Sequence, residues 1–188
     1  MPSLESVSID CRTVLVLGGA RSGKSRYAQA LAEAAKPQRL FVATAEPGDA
    51  EMAARIARHQ ADRGAGWRTR EAPLELAAAL RAEARQDRAV LVDCVTLWLS
   101  NLMFAGRDLS AEISILAKEI REIRGPVILV SNEVGLGIVP ESPLGREFRD
   151  WQGRANQELA KVCDAVAFLA AGLPILLKPA PSPNLRLR

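Results

Sequence analysis

The octapeptide GGARSGKS, residues 18–25, brings together the groups that hold a polyphosphate. Gly18, Gly23, Lys24 and Ser25 fit the spacing G-x-x-x-x-G-K-[ST], with Gly19, Ala20, Arg21 and Ser22 inside the loop. The glycines allow turn geometry and close approach of the backbone to phosphate oxygens. The loop amides and the N-terminus of the following helix add partial positive charge, about half an elementary charge from the dipole. Lys24 is suited to the β- and γ-phosphates, and Ser25 to Mg²⁺. The context fits as well. The apolar run TVLVL (13–17) precedes the loop and an alanine-rich helical segment follows.

Carboxylates at other strand ends extend this chemistry. Asp93 closes AVLVD (89–93), where it reads either as a metal partner or as a helix cap. Glu133, in VILVSNEVG, reads either as a site group or as a solvated loop carboxylate. Ligands of open α/β sheets bind beyond the carboxyl ends of the strands, so Thr44, Asp93 and Glu133 are expected to converge on one crevice with the loop.

His59 is the one histidine of the chain. Met52, Ile56 and His59 fall at i, i+4, i+7, the spacing of an apolar stripe. Arg55, His59 and Arg63 fall at i, i+4, i+8, the spacing of a cationic face. On the first pattern the imidazole is a core residue. On the second, neighbouring guanidiniums keep it neutral, hence nucleophilic, and hold the phosphates being attacked. Residue pattern leaves both readings open.

The elements that must position these groups alternate along the chain. TVLVL (13–17), RLFVAT (39–44), AVLVD (89–93), VILVS (127–131) and AVAFLA (165–170) are near-continuous apolar runs, as in parallel strands covered on both faces. PILLK (174–178) reads as an edge strand. Helices are expected at about 24–36, 50–62, 73–86, 96–105, 109–124 and 143–162. The result is an α/β fold of the P-loop NTPase type, a mostly parallel central sheet flanked by helices in a RecA-like arrangement. Residues 1–12 read as a leader, 13–178 as one nucleotide-binding domain, and the proline-rich 179–188 as an extended tail.

Bulk properties narrow the class. The net charge of +3, without a long basic run, gives no case for nucleic acid. The three cysteines are too scattered for a metal site and read as reduced thiols of a cytoplasmic protein. No apolar run approaches a membrane span, and the polar start MPSLESVSIDC is unlike a signal peptide. Trp98, Leu99, Leu102, Met103 and Phe104 form a dense apolar run, expected in the core or a subunit interface.

Taken together, GGARSGKSRYAQ, FVATAE, RI-x-x-H followed by W-R-T-x-E, LVDCVTLWLSNLMF, NEVGLGIVP and GLPILLK occur in an order over about 13–178 that resembles one family. That family is the bifunctional adenosylcobinamide kinase and adenosylcobinamide-phosphate guanylyltransferase of cobalamin biosynthesis. The resemblance implies phosphorylation of adenosylcobinamide by ATP or GTP, then transfer of GMP from GTP to the new phosphate through a GMP-histidine intermediate. It places that intermediate on His59, with Lys24 as the second catalytic residue. It implies nucleotide contacts from Gly18 through Ser25, Ala43, Thr44, Ala45, Gln60, Ala61, Asp62, Arg63, Glu71 and Asp93, with Mg²⁺ on Ser25 and Asp93. It also implies a homotrimer. The loop GLGIVPESPLG is assigned to the cobinamide side of the crevice. Two rivals stand beside this: a P-loop kinase of a small metabolite with a structural His59, and a GTP-binding regulatory protein.

Overall fold

The computed structural model describes residues 9–45, 64 and 66–180. The helix expected at 50–62, and with it His59, Gln60, Ala61, Asp62 and Arg63, lies outside the described residues.

Seven strands form a single sheet. They are β1 (Thr13–Gly18), β2 (Gln38–Ala43), β3 (Trp67–Glu71), β4 (Arg88–Asp93), β5 (Val127–Val130), β6 (Ala165–Ala170) and β7 (Leu173–Lys178), in the order β3-β2-β4-β5-β1-β6-β7. The first six pair in parallel and β7 closes the edge antiparallel to β6. Among the described residues five α-helices cover it: α1 (Lys24–Ala35), α2 (Leu76–Glu83), α3 (Val95–Phe104), α4 (Leu109–Glu122) and α5 (Pro143–Val162).

The period-two geometry of the strands divides the core between the two faces. Leu15, Leu17, Val90, Val92 and Leu129 pack with Leu76, Leu80, Trp98, Leu99, Leu116 and Leu159 of α2 to α5. Their alternates Val16, Leu91, Ile128 and Val130 pack with Ala28 and Ala32 of α1. Burying each of the leucines stabilises the fold by roughly 1.5–3 kcal/mol before chain entropy is counted. Trp98, Leu99 and Leu102 are core residues, whereas Phe104 from the same apolar run is 78% exposed.

Local signals fix the ends. Asp108 accepts a hydrogen bond from the Ala111 amide at 3.1 Å and caps α4. Ser142 does the same for Gly145 at 3.1 Å, with Pro143 in the first turn of α5. Lys178 donates to the carbonyls of Ala160, Lys161 and Cys163, which caps the C-terminal end of α5 and pins β7 to it.

Two elements differ from the sequence expectation. The sequence WRTRE gave no strand signal, yet it forms β3. It is an edge strand with β2 as its one partner, and most of its side chains face solvent, so no apolar run marks it. Its Trp67 lies 5.8 Å from the Arg39 guanidinium and donates to Glu33 at 3.3 Å. Helix α2 begins at Leu76 rather than near Pro73, because the Leu76 amide is taken by the carbonyl of Leu74 in a tight turn. The edge strand expected at 174–178 is present as β7, with Leu173, Ile175, Leu176 and Leu177 exposed.

Candidate functional site

The carboxyl ends of β1, β4 and β5 open onto one crevice of about 900 Å³. Residues 19–26 line one part of it, Phe41, Ala43, Ala45, Asp93, Cys94 and Leu97 a second, and Asn132, Glu133, Val134, Leu136 and Gly137 a third. That volume lies within the range of sites that enclose a small-molecule ligand.

The loop is shaped by close contacts that only glycine tolerates. Gly18 has φ 149°, and a Cβ there would lie 2.5 Å from the Leu169 carbonyl oxygen and 2.8 Å from the Ser22 hydroxyl. Gly23, at φ 98°, would place a Cβ 3.1 Å from the Gly172 Cα in the β6–β7 hairpin. The Gly172 amide donates to the Ser22 carbonyl at 2.9 Å, so the hairpin buttresses the loop. Helix α1 starts directly after Gly23 without a capping side chain and without an acidic residue in its first turn. Its first amides therefore lack a side-chain acceptor of their own and form an anion-binding end.

Lys24 is buried, and its Nζ donates to the Gly19 carbonyl at 2.5 Å. Burial lowers its pKa from the ordinary 10.5, and Cys94 and Asp93 oppose that shift. The Cys94 thiol is pushed up to about 11, by burial first and by Asp93 second. It is therefore a neutral part of the crevice wall at physiological pH rather than a nucleophile.

Of the site residues drawn from sequence, Gly19 through Ser25, Ala43, Ala45, Asp93 and Glu133 meet in the crevice, while Gly18 lies beneath the loop at the end of β1. Thr44 lies in the interior instead. It is fully buried, and its hydroxyl accepts from the Cys94 amide and donates to the Cys94 carbonyl, both at 2.8 Å. Asn101 supports the same turn by donating to the Thr44 carbonyl at 2.7 Å and the Pro73 carbonyl at 3.1 Å. Thr44 thus braces the segment that carries Asp93. Thr44→Val leaves both Cys94 backbone groups without that partner and is expected to destabilise the protein by about 2–4 kcal/mol. Thr44→Ser should recover most of the loss in a chemical-denaturation titration. Glu71 is exposed at the end of β3, in register with Ala43 but not among the groups lining the crevice.

A buried polar cluster behind Glu133 gave no clear signal in the sequence. Asn156 of α5 donates to Glu133 Oε1 at 2.7 Å and to the Asn132 carbonyl at 3.0 Å. Its Oδ1 accepts from the Ser131 hydroxyl at 2.7 Å and from Gln152 Nε2 at 3.0 Å. The available signal is the pair Gln152 and Asn156, polar residues at i and i+4 on the buried face of a helix.

Known proteins are similar to the chain over most of its length. Residues 14–177 match the family model described as cobinamide kinase / cobinamide phosphate guanyltransferase. A bifunctional adenosylcobalamin biosynthesis protein CobP of Pseudomonas aeruginosa is 50% identical over 169 residues, covering 89% of this chain and 98% of that one. A bifunctional adenosylcobalamin biosynthesis protein CobU of Salmonella typhimurium is 43% identical over 180 residues, covering 88% and 99%. A solved ATPase from a type III secretion system is similar in fold alone, with a TM-score of 0.50 at 12% identity, over 85% of this chain and 51% of that one. With a phosphate-binding loop at the head of the crevice and a match running nearly from end to end, the chain belongs to the cobinamide kinase / cobinamide phosphate guanyltransferase family.

Proposed function

We propose that this chain performs both reactions of its family. A nucleoside triphosphate phosphorylates the aminopropanol hydroxyl of adenosylcobinamide, and GTP then gives GMP to that phosphate, forming adenosylcobinamide-GDP and pyrophosphate. The observation that carries this reading is the single crevice in which the phosphate loop, Lys24, Asp93 and Glu133 meet. In the first reaction the hydroxyl oxygen attacks the γ-phosphorus, and the bond to the β-phosphate oxygen breaks. In the second, a nitrogen of His59 attacks the α-phosphorus of GTP and pyrophosphate leaves. The cobinamide phosphate oxygen then attacks the same phosphorus, and the phosphorus–nitrogen bond breaks to restore the imidazole. Two displacements replace one encounter between two anions.

Throughout, the loop amides and Lys24 stabilise charge on the phosphates. Ser25 and Asp93 would hold Mg²⁺. A hydroxyl and a carboxylate are hard oxygen donors, and one or two protein ligands are what this ion takes beside phosphates and water. When bound, it neutralises phosphate charge. Gln60, Ala61, Asp62, Arg63 and Glu71 are assigned to the nucleotide by resemblance. The segment 135–145 is assigned to the corrinoid side, and its exposed Leu136, Ile138, Val139 and Leu144 offer apolar surface there. A homotrimer is assigned by resemblance, and the exposed apolar residues of β7 offer surface for a subunit contact. No helix among the described residues is long and apolar enough to cross a membrane, and we assign the enzyme to the cytoplasm.

The test is mass spectrometry after incubation with GTP alone. The expected result is a single GMP added to the chain, acid-labile and mapping to His59. A chain that phosphorylates adenosylcobinamide but takes up no GMP would be a kinase with a structural histidine.

A further inference from the structure

We infer that Glu133 accepts the proton of the substrate hydroxyl in the phosphorylation step, and that Asn156 is the residue that positions it. This rests on the bifunctional reading above and adds a division of labour to it. Glu133 is half-buried and lines the same crevice as Lys24 and Asp93. Its placement is fixed from two sides. Its amide donates to the Gly18 carbonyl at 3.1 Å, which ties its backbone to the first residue of the phosphate loop. Its Oε1 takes a 2.7 Å hydrogen bond from Asn156.

Asn156 itself has little freedom. It is 3% exposed, and its carboxamide donates to Glu133 and Asn132 while accepting from Ser131 and Gln152. Gln152 also donates to the Ser131 hydroxyl at 2.9 Å. Ser131 and Gln152 are fully buried, and Gln152 Oε1 has no partner among the described residues. Burying so many polar atoms costs stability that an apolar cluster of the same volume would not. What the cluster provides is one fixed orientation for a carboxylate in the crevice, as expected of groups that support a reacting residue.

The chemistry says which reaction needs that carboxylate. Three nucleophiles act in the proposed sequence: a hydroxyl, a neutral imidazole nitrogen and a phosphate oxygen. Only the hydroxyl carries a proton on its attacking atom. As its oxygen bonds to the γ-phosphorus, the O–H pair stays on oxygen and the proton passes to the Glu133 carboxylate. The bond from the γ-phosphorus to the β-phosphate oxygen breaks, and its electron pair leaves with the nucleoside diphosphate. The other two displacements require no such base.

The experiment measures phosphorylation of adenosylcobinamide and GMP loading from GTP separately in the full chain. Glu133→Gln keeps the shape and an oxygen for Asn156, so the fold is retained. Its kcat for phosphorylation should fall by roughly 10²–10³-fold, while KM for the nucleotide and the rate of GMP loading stay within about threefold. Asn156→Ala should show the same split, with kcat reduced by roughly tenfold and KM unchanged. Phosphorylation by Glu133→Gln within about threefold of the unmodified protein, or a parallel loss of GMP loading, overturns the assignment of Glu133. An unchanged kcat in Asn156→Ala overturns the positioning role. Failure of the underlying bifunctional reading looks different, since the unmodified protein then takes up no GMP whatever Glu133→Gln does to phosphorylation.

Discussion

Lys24→Met is expected to lower kcat/KM for phosphorylation and for GMP loading alike, each by roughly 10³-fold. On the proposed mechanism both reactions draw on one phosphate site, and the Lys24 ammonium is the buried full charge that the loop brings to it. Methionine matches the side chain's bulk but offers the phosphates neither charge nor donor. Arginine is no substitute, because its planar fork does not fit a pocket shaped for a point charge. Stability should not follow activity. The amine is buried and its pKa is lowered chiefly by that burial, so its charge is a cost to the folded state. The unfolding midpoint of Lys24→Met without nucleotide is expected to equal or exceed that of the unmodified protein. A variant that keeps more than a tenth of either activity would remove Lys24 from the shared machinery.

The same lowered pKa has a sign that can be measured. In the window below 10.5, the unfolded chain binds more protons at this amine than the folded chain does, so stability without nucleotide rises with pH there. A bound triphosphate favours the ammonium and raises the pKa again. Nucleotide binding in that window should therefore take up protons and weaken as pH rises. Calorimetry in buffers of different ionisation enthalpy reads the uptake directly.

The sequence carried different parts of this site with different clarity. The phosphate loop was legible because its spacing is set by backbone constraints: Gly18 has no room for a side chain, and Gly23 holds a positive φ of 98° that side chains rarely adopt. The central strands were legible because both faces are covered, which writes them as unbroken apolar runs. Strand β3 was not, since an edge strand with solvated charges looks like a loop. Thr44 was placed at the right strand end, but its hydroxyl is committed to Cys94, a partner 50 residues away that no local pattern announces. Glu133 was visible as a carboxylate after a strand. The Asn156 amide that orients it arrives from a helix 23 residues later, and only the packing of α5 against the segment that follows β5 brings them together.

His59→Ala should produce the opposite selectivity to Glu133→Gln. GMP loading is expected to fall on the order of 10⁴-fold or more, because the attacking atom is gone. Phosphorylation should stay within about threefold, since its nucleophile belongs to the substrate and its electrostatic support to the loop. The chain has no second histidine, so no neighbouring imidazole can take over the phosphoramidate. His59→Asn, which keeps a polar side chain of similar size without the nucleophilic ring nitrogen, should behave like alanine. Loading of the α-phosphate of labelled GTP, followed by peptide mapping, measures this. A His59→Ala protein that still carries GMP, or that transfers it at the unmodified rate, assigns the nucleophile elsewhere. The three variants together form a closed test: Lys24→Met takes both reactions, Glu133→Gln takes phosphorylation, and His59→Ala takes guanylyl transfer. That pattern requires one phosphate grip serving two nucleophiles, and a kinase with an incidental histidine cannot generate it.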